Sequence, residues 1–393
     1  MVRAGGDPVS GRPGSFAFPP PVASPEEDEH FMAEALRLGD TGLGRTWPNP
    51  SVGAVVVRHD PDGARVVGSA STASTGRPHA EPLALAEAGE AARGATLYVT
   101  LEPCSHHGRT PPCADAVVAA GIRRVVAAIE DPDHRVKGRG VARLRNAGIW
   151  VTVGVGAEQA LIAHAGHIRR VTAGRPHVLL KMAVSADGKA ALAGPRPAVV
   201  TGPEARARAH LMRAHADAIA VGIGTVLADD PLLTCRLEGY ESRSPVRVVL
   251  DTELNLPLDS ALVRTAFEVP VWALCAEDAP AERAAALAEL GIEVLRVPRG
   301  ADGRLSLPAA LKLLGLLGLT RLMVEGGPQV AAAFLDAGLV DEVAVFRGAA
   351  VLGPQALDAL PGRPLSRLTA PVGFAELERA ELGPDLLVRM WRR

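Results

Sequence analysis

The feature that most constrains this chain is a histidine and a glutamate two positions apart, followed by two cysteines. His79-Ala80-Glu81 precedes Pro103-Cys104 and then Cys113. One imidazole and two thiolates can hold Zn²⁺ and leave a fourth tetrahedral position for water, activated there to attack an amine-bearing ring carbon. Glu81 lies two residues after His79, so on one helical turn its carboxyl group can point towards the metal-bound water. There it can move a proton from that water to the departing ammonia. The pattern predicts a zinc-dependent deaminase of amino-heterocycles, with three unrelated buried residues as the alternative. A His-Cys-Cys site could also bind other soft or borderline ions.

Composition narrows the class of protein further. The 393 residues carry a net charge of −2, and 48% of them are apolar, which indicates a globular protein of two domains. This charge, with only 3% aromatic residues, argues against a nucleic-acid partner and favours a small-molecule substrate. Four cysteines, two of them assigned to the metal, predict a reducing, cytoplasmic location. No uncharged apolar run reaches the length of a membrane span, so no membrane partner is expected.

Periodicity and turn residues divide the chain into four parts. Residues 1–25 form a Gly-, Pro- and Ser-rich tail, 26–156 a first domain, 157–176 a helical linker and 177–393 a second domain. The first domain alternates helices and strands, which predicts a three-layer α/β/α fold. Its predicted helices are 26–38, 80–92 and 113–120, and its predicted strands are 52–57, 96–100 and 124–129, with a further helix and strand ending near residue 155.

The second domain also reads as α/β. Strands are predicted at 177–184, 218–221, 246–250, 271–274, 292–297, 321–324 and 342–345, and helices at 203–214, 281–290, 308–317 and 328–337. Glu325-Gly326-Gly327-Pro328 follows a strand and opens a helix, where backbone N–H groups can meet a phosphate. A simple turn is the commoner reason for such a Gly-Gly pair.

The first domain resembles the deaminase half of the bifunctional riboflavin-biosynthesis deaminase/reductases. The similarity lies in Leu101-Glu102-Pro103-Cys104-Ser105-His106-His107-Gly108-Arg109-Thr110-Pro111-Pro112-Cys113, whose cysteine spacer is long, and in the run 49–55. Residues 131–133 and 138–140 match a later substrate loop. The resemblance implies a cytidine-deaminase-like fold in which His79, Cys104 and Cys113 hold zinc and Glu81 is catalytic. It also implies substrate contacts from Asn49, Arg109 and Thr110.

The second domain resembles the reductase half of the same family through four segments in the same order. These are residues 180–189, 222–234, 247–251 and 324–328. The resemblance implies a dihydrofolate-reductase-like fold, NADPH as reductant and a homo-oligomer formed through this domain. The NADPH contacts that it implies are Ala183, Val199, Thr225, Asp229, Thr252 and Gly327. The substrate contacts that it implies are Lys181, Arg213, Leu232, Arg236 and Glu325.

The chemistry of these residue types agrees with that assignment. Arg213 and Arg236 can grip a sugar phosphate bidentately, although an isolated arginine is more often a solvated surface charge. Glu325 can bind sugar hydroxyls or only complement a helix dipole. Lys181 can face the substrate or extend along the strand to solvent.

Three segments depart from the family pattern. Thr72 replaces a substrate-contacting histidine, Pro197 and Val199 replace a serine and a tryptophan, and residues 348–350 replace Ala-Pro-Lys. We therefore predict a deaminase that converts a diaminopyrimidine ribosyl phosphate to the uracil, joined to an NADPH-dependent reductase that gives the ribityl product. The alternatives are a deaminase whose second domain is a degenerate binding or assembly module, and a deaminase of nucleic acid or free nucleosides.

Overall fold

The computed structural model describes residues 23–108, 111–192 and 199–393. The chain divides into two compact units. The first comprises residues up to Gly42 with Ser51–Ala73 and Arg77–His164, and the second comprises Leu43–Pro50, Ser74–Gly76 and Ala165–Arg393. Among the helices in the described ranges, none combines the length and the hydrophobicity that crossing a membrane would need.

The first unit is built on a five-stranded sheet of order β2-β1-β3-β4-β5. Its strands are β1 (Gly53–Asp60), β2 (Gly63–Ser71), β3 (Thr96–Val99), β4 (Arg124–Ala127) and β5 (Trp150–Val153). Its helices are α1 (Pro25–Asp40), α2 (Ala80–Ala88), α3 (Cys113–Ala119), α4 (Arg139–Asn146) and α5 (Ala157–Ala163). Strands β1 and β2 form an antiparallel hairpin, β1 pairs antiparallel with β3, and β3, β4 and β5 run parallel.

Local chemistry explains how the first helix begins and where it packs. Ser24 and Glu27 form a capping box, in which the Ser24 hydroxyl accepts the Glu27 N–H at 3.2 Å and the Glu27 carboxylate accepts the Ser24 N–H at 3.0 Å. Helix α1 then crosses β1 so closely that a Cβ atom at Gly53 would overlap the carbonyl oxygen of Ala35. The helix predicted after Ser24-Pro25 is therefore confirmed, and the strand beneath it needs a glycine.

The second unit contains a nine-stranded sheet of order β11-β10-β9-β8-β12-β6-β13-β16-β15. Its strands are β6 (His177–Val184), β8 (Ala218–Gly222), β9 (Val246–Leu250), β10 (Val271–Ala276), β11 (Ile292–Val297), β12 (Arg321–Val324), β13 (Glu342–Arg347), β15 (Phe374–Leu382) and β16 (Asp385–Arg392), and a separate pair joins β7 (Lys189–Ala191) to β14 (Leu357–Asp358). Its helices are α6 (Ala165–Ala173), α7 (Pro203–Ala214), α8 (Ile223–Asp229), α9 (Ala261–Arg264), α10 (Ala281–Glu289), α11 (Leu307–Leu316), α12 (Pro328–Asp336) and α13 (Ser366–Thr369).

The seven neighbouring strands from β11 across the sheet to β13 are all parallel, and the two pairings at the other edge, β13 with β16 and β16 with β15, are antiparallel. Parallel strands end at the same edge of a sheet, so the segments that follow β8, β9 and β12 converge there. The predicted α/β architecture is confirmed, and the segments after these three strands hold most of the predicted site residues of the second unit.

Several elements differ from the sequence-based expectation, among them strand β2 and helix α8, which were not predicted. The helical linker predicted at 157–176 contains two helices, α5 and α6, with His164 between them. His164 is buried, and its Nε2 lies 2.9 Å from the Thr100 hydroxyl. The antiparallel hairpin of β15 and β16 was not predicted, because β15 alternates charged and apolar residues without a buried run.

Candidate active sites

The three predicted metal ligands meet in the first unit. His79 precedes α2 as its N-cap residue, Cys104 lies in the loop after β3, and Cys113 is the first residue of α3. The His79 Nδ1 atom lies 3.3 Å from the Cys113 Sγ and 3.8 Å from the Cys104 Sγ, and the three ligand atoms lie within 4.8 Å of one another. The His79 Nε2 atom is buried and has no hydrogen-bond partner among the described residues. The donor set fits Zn²⁺.

The electrostatics of this cluster favour a cation. A hydrogen bond from the Cys113 thiol is the largest cause that lowers the pKa of Cys104 to about 4. The same hydrogen bond, with burial, raises the pKa of Cys113. The Cys104 sulfur also accepts the backbone N–H of Cys113 at 3.3 Å. The Cys104 and Cys113 sulfurs thus lie side by side as a donor pair of the kind that a divalent cation such as Zn²⁺ binds as two thiolates.

Glu81 lies where a proton carrier would be needed. It occupies the first turn of α2 and is only 3% exposed. Burial raises the pKa of Glu81 to about 7, with a smaller contribution from the Cys104 thiolate. A buried carboxyl group beside a metal site can both accept and donate a proton near neutral pH. The sequence-based assignment of Glu81 as the proton carrier stays a prediction that this placement supports.

Glu102 supports the loop that carries Cys104, a role that the sequence did not reveal. Its carboxylate accepts backbone N–H groups from Asp131 at 3.1 Å, Gly138 at 2.9 Å and Val141 at 3.0 Å. Helix α4 approaches the same loop so closely that a Cβ atom at Gly140 would overlap the Pro103 carbonyl oxygen. The matched substrate-loop segments 131–133 and 138–140 thus brace the metal-binding loop.

The remaining predicted substrate contacts of the deaminase are spread more widely. Asn49 belongs to the segment Leu43–Pro50 of the second unit, and its side-chain amide donates to the Gly76 carbonyl oxygen at 3.2 Å. Arg109 and Thr110 lie outside the described residues. Thr72 is buried, and its hydroxyl accepts the Val52 N–H at 3.0 Å, so it joins the end of β2 to the start of β1.

A half-buried charge cluster lies at the end of β12 in the second unit. Glu325 follows β12, and its two carboxylate oxygens pair with the Lys181 Nζ at 2.9 Å and the Arg213 Nε at 2.8 Å. Burial alone would raise the pKa of Glu325, but Lys181 and Arg213 outweigh it and lower that pKa to about 2. Three of the five predicted substrate residues of this unit are therefore brought into contact.

The other two predicted substrate residues lie in the segment after α8. Both Leu232 and Arg236 are exposed. Helix α7 contacts the backbone between these two residues, because the Arg213 Nη1 donates to the Thr234 carbonyl oxygen at 3.0 Å. On the other side the fully buried Arg247 donates to the Leu232 carbonyl oxygen at 3.3 Å.

The predicted NADPH contacts gather around two loops. The Gly327 N–H donates to the Thr225 hydroxyl at 3.1 Å, which joins the loop after β12 to helix α8 after β8. Gly327 is the N-cap of α12 and offers no side-chain cap, and Pro328, the first residue of the helix, has no N–H. The Val330 and Ala331 N–H groups donate to the Gly327 carbonyl oxygen at 3.1 and 3.2 Å, so this helix start favours an anionic group through its dipole. Asp229 ends α8, and Thr252 follows β9. These loops fit a dinucleotide phosphate.

Ala183 and Val199 complete the predicted cofactor contacts. Ala183 is half-buried on β6, whereas Val199 is 73% exposed, so it packs against little else among the described residues. Pro197 lies outside those residues. The two altered segments meet, because a Cβ atom at Gly348 would overlap the Val200 carbonyl oxygen.

Comparison with protein families matches both units. Residues 25–129 match the cytidine and deoxycytidylate deaminase zinc-binding region, and residues 176–385 match the RibD C-terminal domain. The chain is 43% identical to riboflavin biosynthesis protein RibD of Aquifex aeolicus over 84% of this chain and 88% of the relative. It is 39% identical to riboflavin biosynthesis protein RibD of Escherichia coli over 93% of this chain and 99% of the relative.

Solved structures agree over nearly the whole chain. Acinetobacter baumannii RibD superposes with a TM-score of 0.81 at 34% identity, covering 94% of this chain and 100% of its own. A Thermotoga maritima protein, solved as a diaminohydroxyphosphoribosylaminopyrimidine deaminase/5-amino-6-(5-phosphoribosylamino)uracil reductase, gives 0.80 at 35% identity with the same coverages.

Proposed function

The chain belongs to the RibD family of riboflavin biosynthesis, whose members join a deaminase to a reductase, and from that membership we propose that its two units act in turn on one pyrimidine ribosyl phosphate. The first unit removes an amino group from diaminohydroxyphosphoribosylaminopyrimidine, and the second reduces 5-amino-6-(5-phosphoribosylamino)uracil, the two activities named for the Thermotoga maritima relative. The observation that carries this proposal is the convergence of His79, Cys104 and Cys113 beside the buried Glu81.

The deaminase step follows from what these side chains hold and move. His79, Cys104 and Cys113 would hold Zn²⁺, which when bound supplies Lewis-acid activation of water at neutral pH. Glu81 takes a proton from the attacking water and delivers it to the amino group, which leaves as ammonia. Glu102 keeps the Cys104 loop in place through three backbone hydrogen bonds.

The reductase step needs alignment more than a nucleophile. NADPH, which Thr225, Asp229, Thr252 and the N-terminus of α12 would hold, would supply a hydride for the sugar C1. The ring C1–O bond breaks, and its oxygen takes up one proton to become a hydroxyl of the ribityl chain. Arg213 and Arg236 bind the substrate phosphate, and a pKa of about 2 keeps Glu325 ionised as an acceptor for sugar hydroxyls. Holding the hydride-donating carbon of NADPH close to the accepting sugar carbon supplies most of the rate increase over the same reaction in solution.

Location and assembly complete the proposal. All four cysteines are free thiols, which supports a reducing, cytoplasmic setting. A homo-oligomer formed through the second unit is the expectation carried over from the family resemblance.

Two separate assays test the proposal. In the first, the diaminopyrimidine ribosyl phosphate is supplied without NADPH and ammonia is measured. In the second, the uracil ribosyl phosphate is supplied with NADPH and absorbance at the nicotinamide band is followed. Activity in both assays is expected. Ammonia release without NADPH oxidation would reduce the second unit to a binding or assembly module, and no ammonia release would refute the deaminase.

A further inference from the structure

Helix α7 holds three consecutive residues of the predicted substrate segment through one face. His210 and Arg213, which are three positions apart, share that face. The Arg213 Nη1 donates to the Thr234 carbonyl oxygen at 3.0 Å, and the Cys235 thiol donates to the His210 carbonyl oxygen at 3.4 Å. The Arg236 backbone N–H donates to the His210 Nδ1 at 3.2 Å.

The His210 imidazole is suited to act as this acceptor. Nδ1 can accept the Arg236 N–H only when it carries no proton, so the ring is neutral with its proton on Nε2. Burial, followed by the positive charges of Arg213 and Arg236, lowers the pKa of His210 to about 4. Lys181 acts in the same direction and Glu325 opposes it. The acceptor is therefore present across the neutral range.

Arg236 is the residue that needs such an anchor. Its side chain is exposed, whereas Arg213 is fixed by Glu325 at 2.8 Å. A long exposed side chain loses rotamer entropy when it binds a phosphate. If its backbone is already fixed, the total conformational entropy lost on binding is smaller. The hydrogen bond to His210 supplies that fixed point.

We propose that His210 is a positioning residue of the reductase: by accepting the Arg236 N–H it places the Arg236 guanidinium beside Arg213 for the substrate phosphate. This inference rests on the proposed function, because it assumes a phosphorylated substrate in this pocket. It adds a residue that neither the sequence pattern nor the family resemblance singled out.

The test is a double-mutant cycle measured as NADPH oxidation with 5-amino-6-(5-phosphoribosylamino)uracil. The proteins are the wild type, His210→Leu, Arg236→Ala, the double variant and His210→Asn, whose side-chain oxygen can replace Nδ1 as an acceptor. We expect His210→Leu to raise the KM for this substrate roughly 5- to 20-fold with kcat little changed, since one neutral hydrogen bond is lost. His210→Asn should recover most of that loss.

The coupling decides between positioning and simple structural support. The effect of His210→Leu should largely disappear when Arg236 is already alanine. Ammonia release, the KM for NADPH and the melting temperature of each variant are measured alongside to show that the chain remains folded. An unchanged KM in His210→Leu, or an undiminished effect in the Arg236→Ala background, would overturn the inference alone. A wild-type chain that oxidises no NADPH would overturn the reductase function and this inference together.

Discussion

Glu81 is a buried carboxyl group and Glu325 a half-buried one, yet their surroundings move their pKa values in opposite directions. Burial raises the pKa of Glu81 to about 7, whereas Lys181 and Arg213 overcome burial and lower the pKa of Glu325 to about 2. The first group can exchange a proton at neutral pH, and the second keeps its charge. The environment of Glu81 therefore suits the proposed proton transfer, whereas that of Glu325 suits charge pairing.

Glu81→Gln should remove proton transfer and leave the metal site intact. We expect ammonia release to fall by about 10² to 10⁴, which is the usual contribution of a general acid–base. Zinc content by elemental analysis and NADPH oxidation with the uracil substrate should stay at wild-type levels. Glu87→Gln, at an exposed position of the same helix, is the matched control. Wild-type ammonia release by Glu81→Gln would exclude Glu81 as the proton carrier.

Glu325→Gln should destabilise the second unit in a pH-dependent way. The pKa of about 2 for Glu325 in the folded chain lies below the ordinary glutamate value of 4.5, so the charge contributes stability above pH 4.5. That contribution, roughly 3 kcal/mol, is lost as the pH falls through the window from 4.5 towards 2.

The measurement is the melting temperature of the second unit at pH 7 and pH 3.5. The difference in melting temperature between the wild type and Glu325→Gln should be large at pH 7 and smaller at pH 3.5. Glu289→Gln, at an exposed position on α10, should show no gap at either pH. A gap that widens at low pH would contradict the assigned ion pairs.

At the scale of elements, one buried network fastens α1 to the first sheet. Asp28 on α1 accepts hydrogen bonds from the Arg124 Nη1 at 2.7 Å and Nη2 at 2.6 Å. The Tyr98 hydroxyl donates to the same carboxylate at 2.8 Å, and burial followed by this bond raises the pKa of Tyr98. One carboxylate thus joins α1 to β3 and β4.

Asp28→Asn should weaken this attachment strongly. Removing one partner of a buried ion pair leaves the Arg124 charge uncompensated, at a cost of roughly 3 to 5 kcal/mol. Urea unfolding monitored through ammonia-release activity should shift to lower denaturant concentration, while NADPH oxidation should keep its wild-type midpoint. Glu29→Gln, the exposed neighbour on α1, is the control. A shift no larger than that of the control would show that the network adds little.

Elements with strong local signals could be predicted from the sequence, and those set by distant pairing could not. Strands β6, β9, β11 and β12 have the predicted bounds because each is a short apolar or β-branched run between turn residues. The hairpin of β15 and β16 owes its structure to pairing with β13, which no local pattern records.

The same distinction applies to the candidate sites. His79, Cys104 and Cys113 could be predicted to converge, because their residue types and spacing carry the metal chemistry. The roles of Glu102 and His210 could not be predicted. The partners of Glu102 lie at least 29 positions away and the partner of His210 lies 26 positions away, and all of them are backbone N–H groups, which residues of almost any type offer.

At the scale of the whole molecule, the two chemistries use separate sets of residues. The metal ligands and Glu81 belong to the first unit, and the Glu325 cluster with the Thr225–Gly327 link belongs to the second. The chain can therefore lose one activity and keep the other.

Metal removal should separate the two activities. Treatment with a zinc chelator should abolish ammonia release, because two thiolates and an imidazole without a cation activate no water. NADPH oxidation with the uracil substrate should persist, and added Zn²⁺ should restore ammonia release. If the chelator stopped both activities equally and the chain stayed folded, the assignment of the metal to the first unit alone would be wrong.

The most direct test of the two-step account is the stoichiometry of a complete reaction. The diaminopyrimidine ribosyl phosphate and excess NADPH are given to the wild-type chain, and ammonia, NADPH and product mass are measured to completion. The account predicts one ammonia released and one NADPH oxidised per substrate, with a product carrying the ribityl side chain. One ammonia per substrate with no NADPH oxidised and a product that still carries the ribosyl group would contradict it.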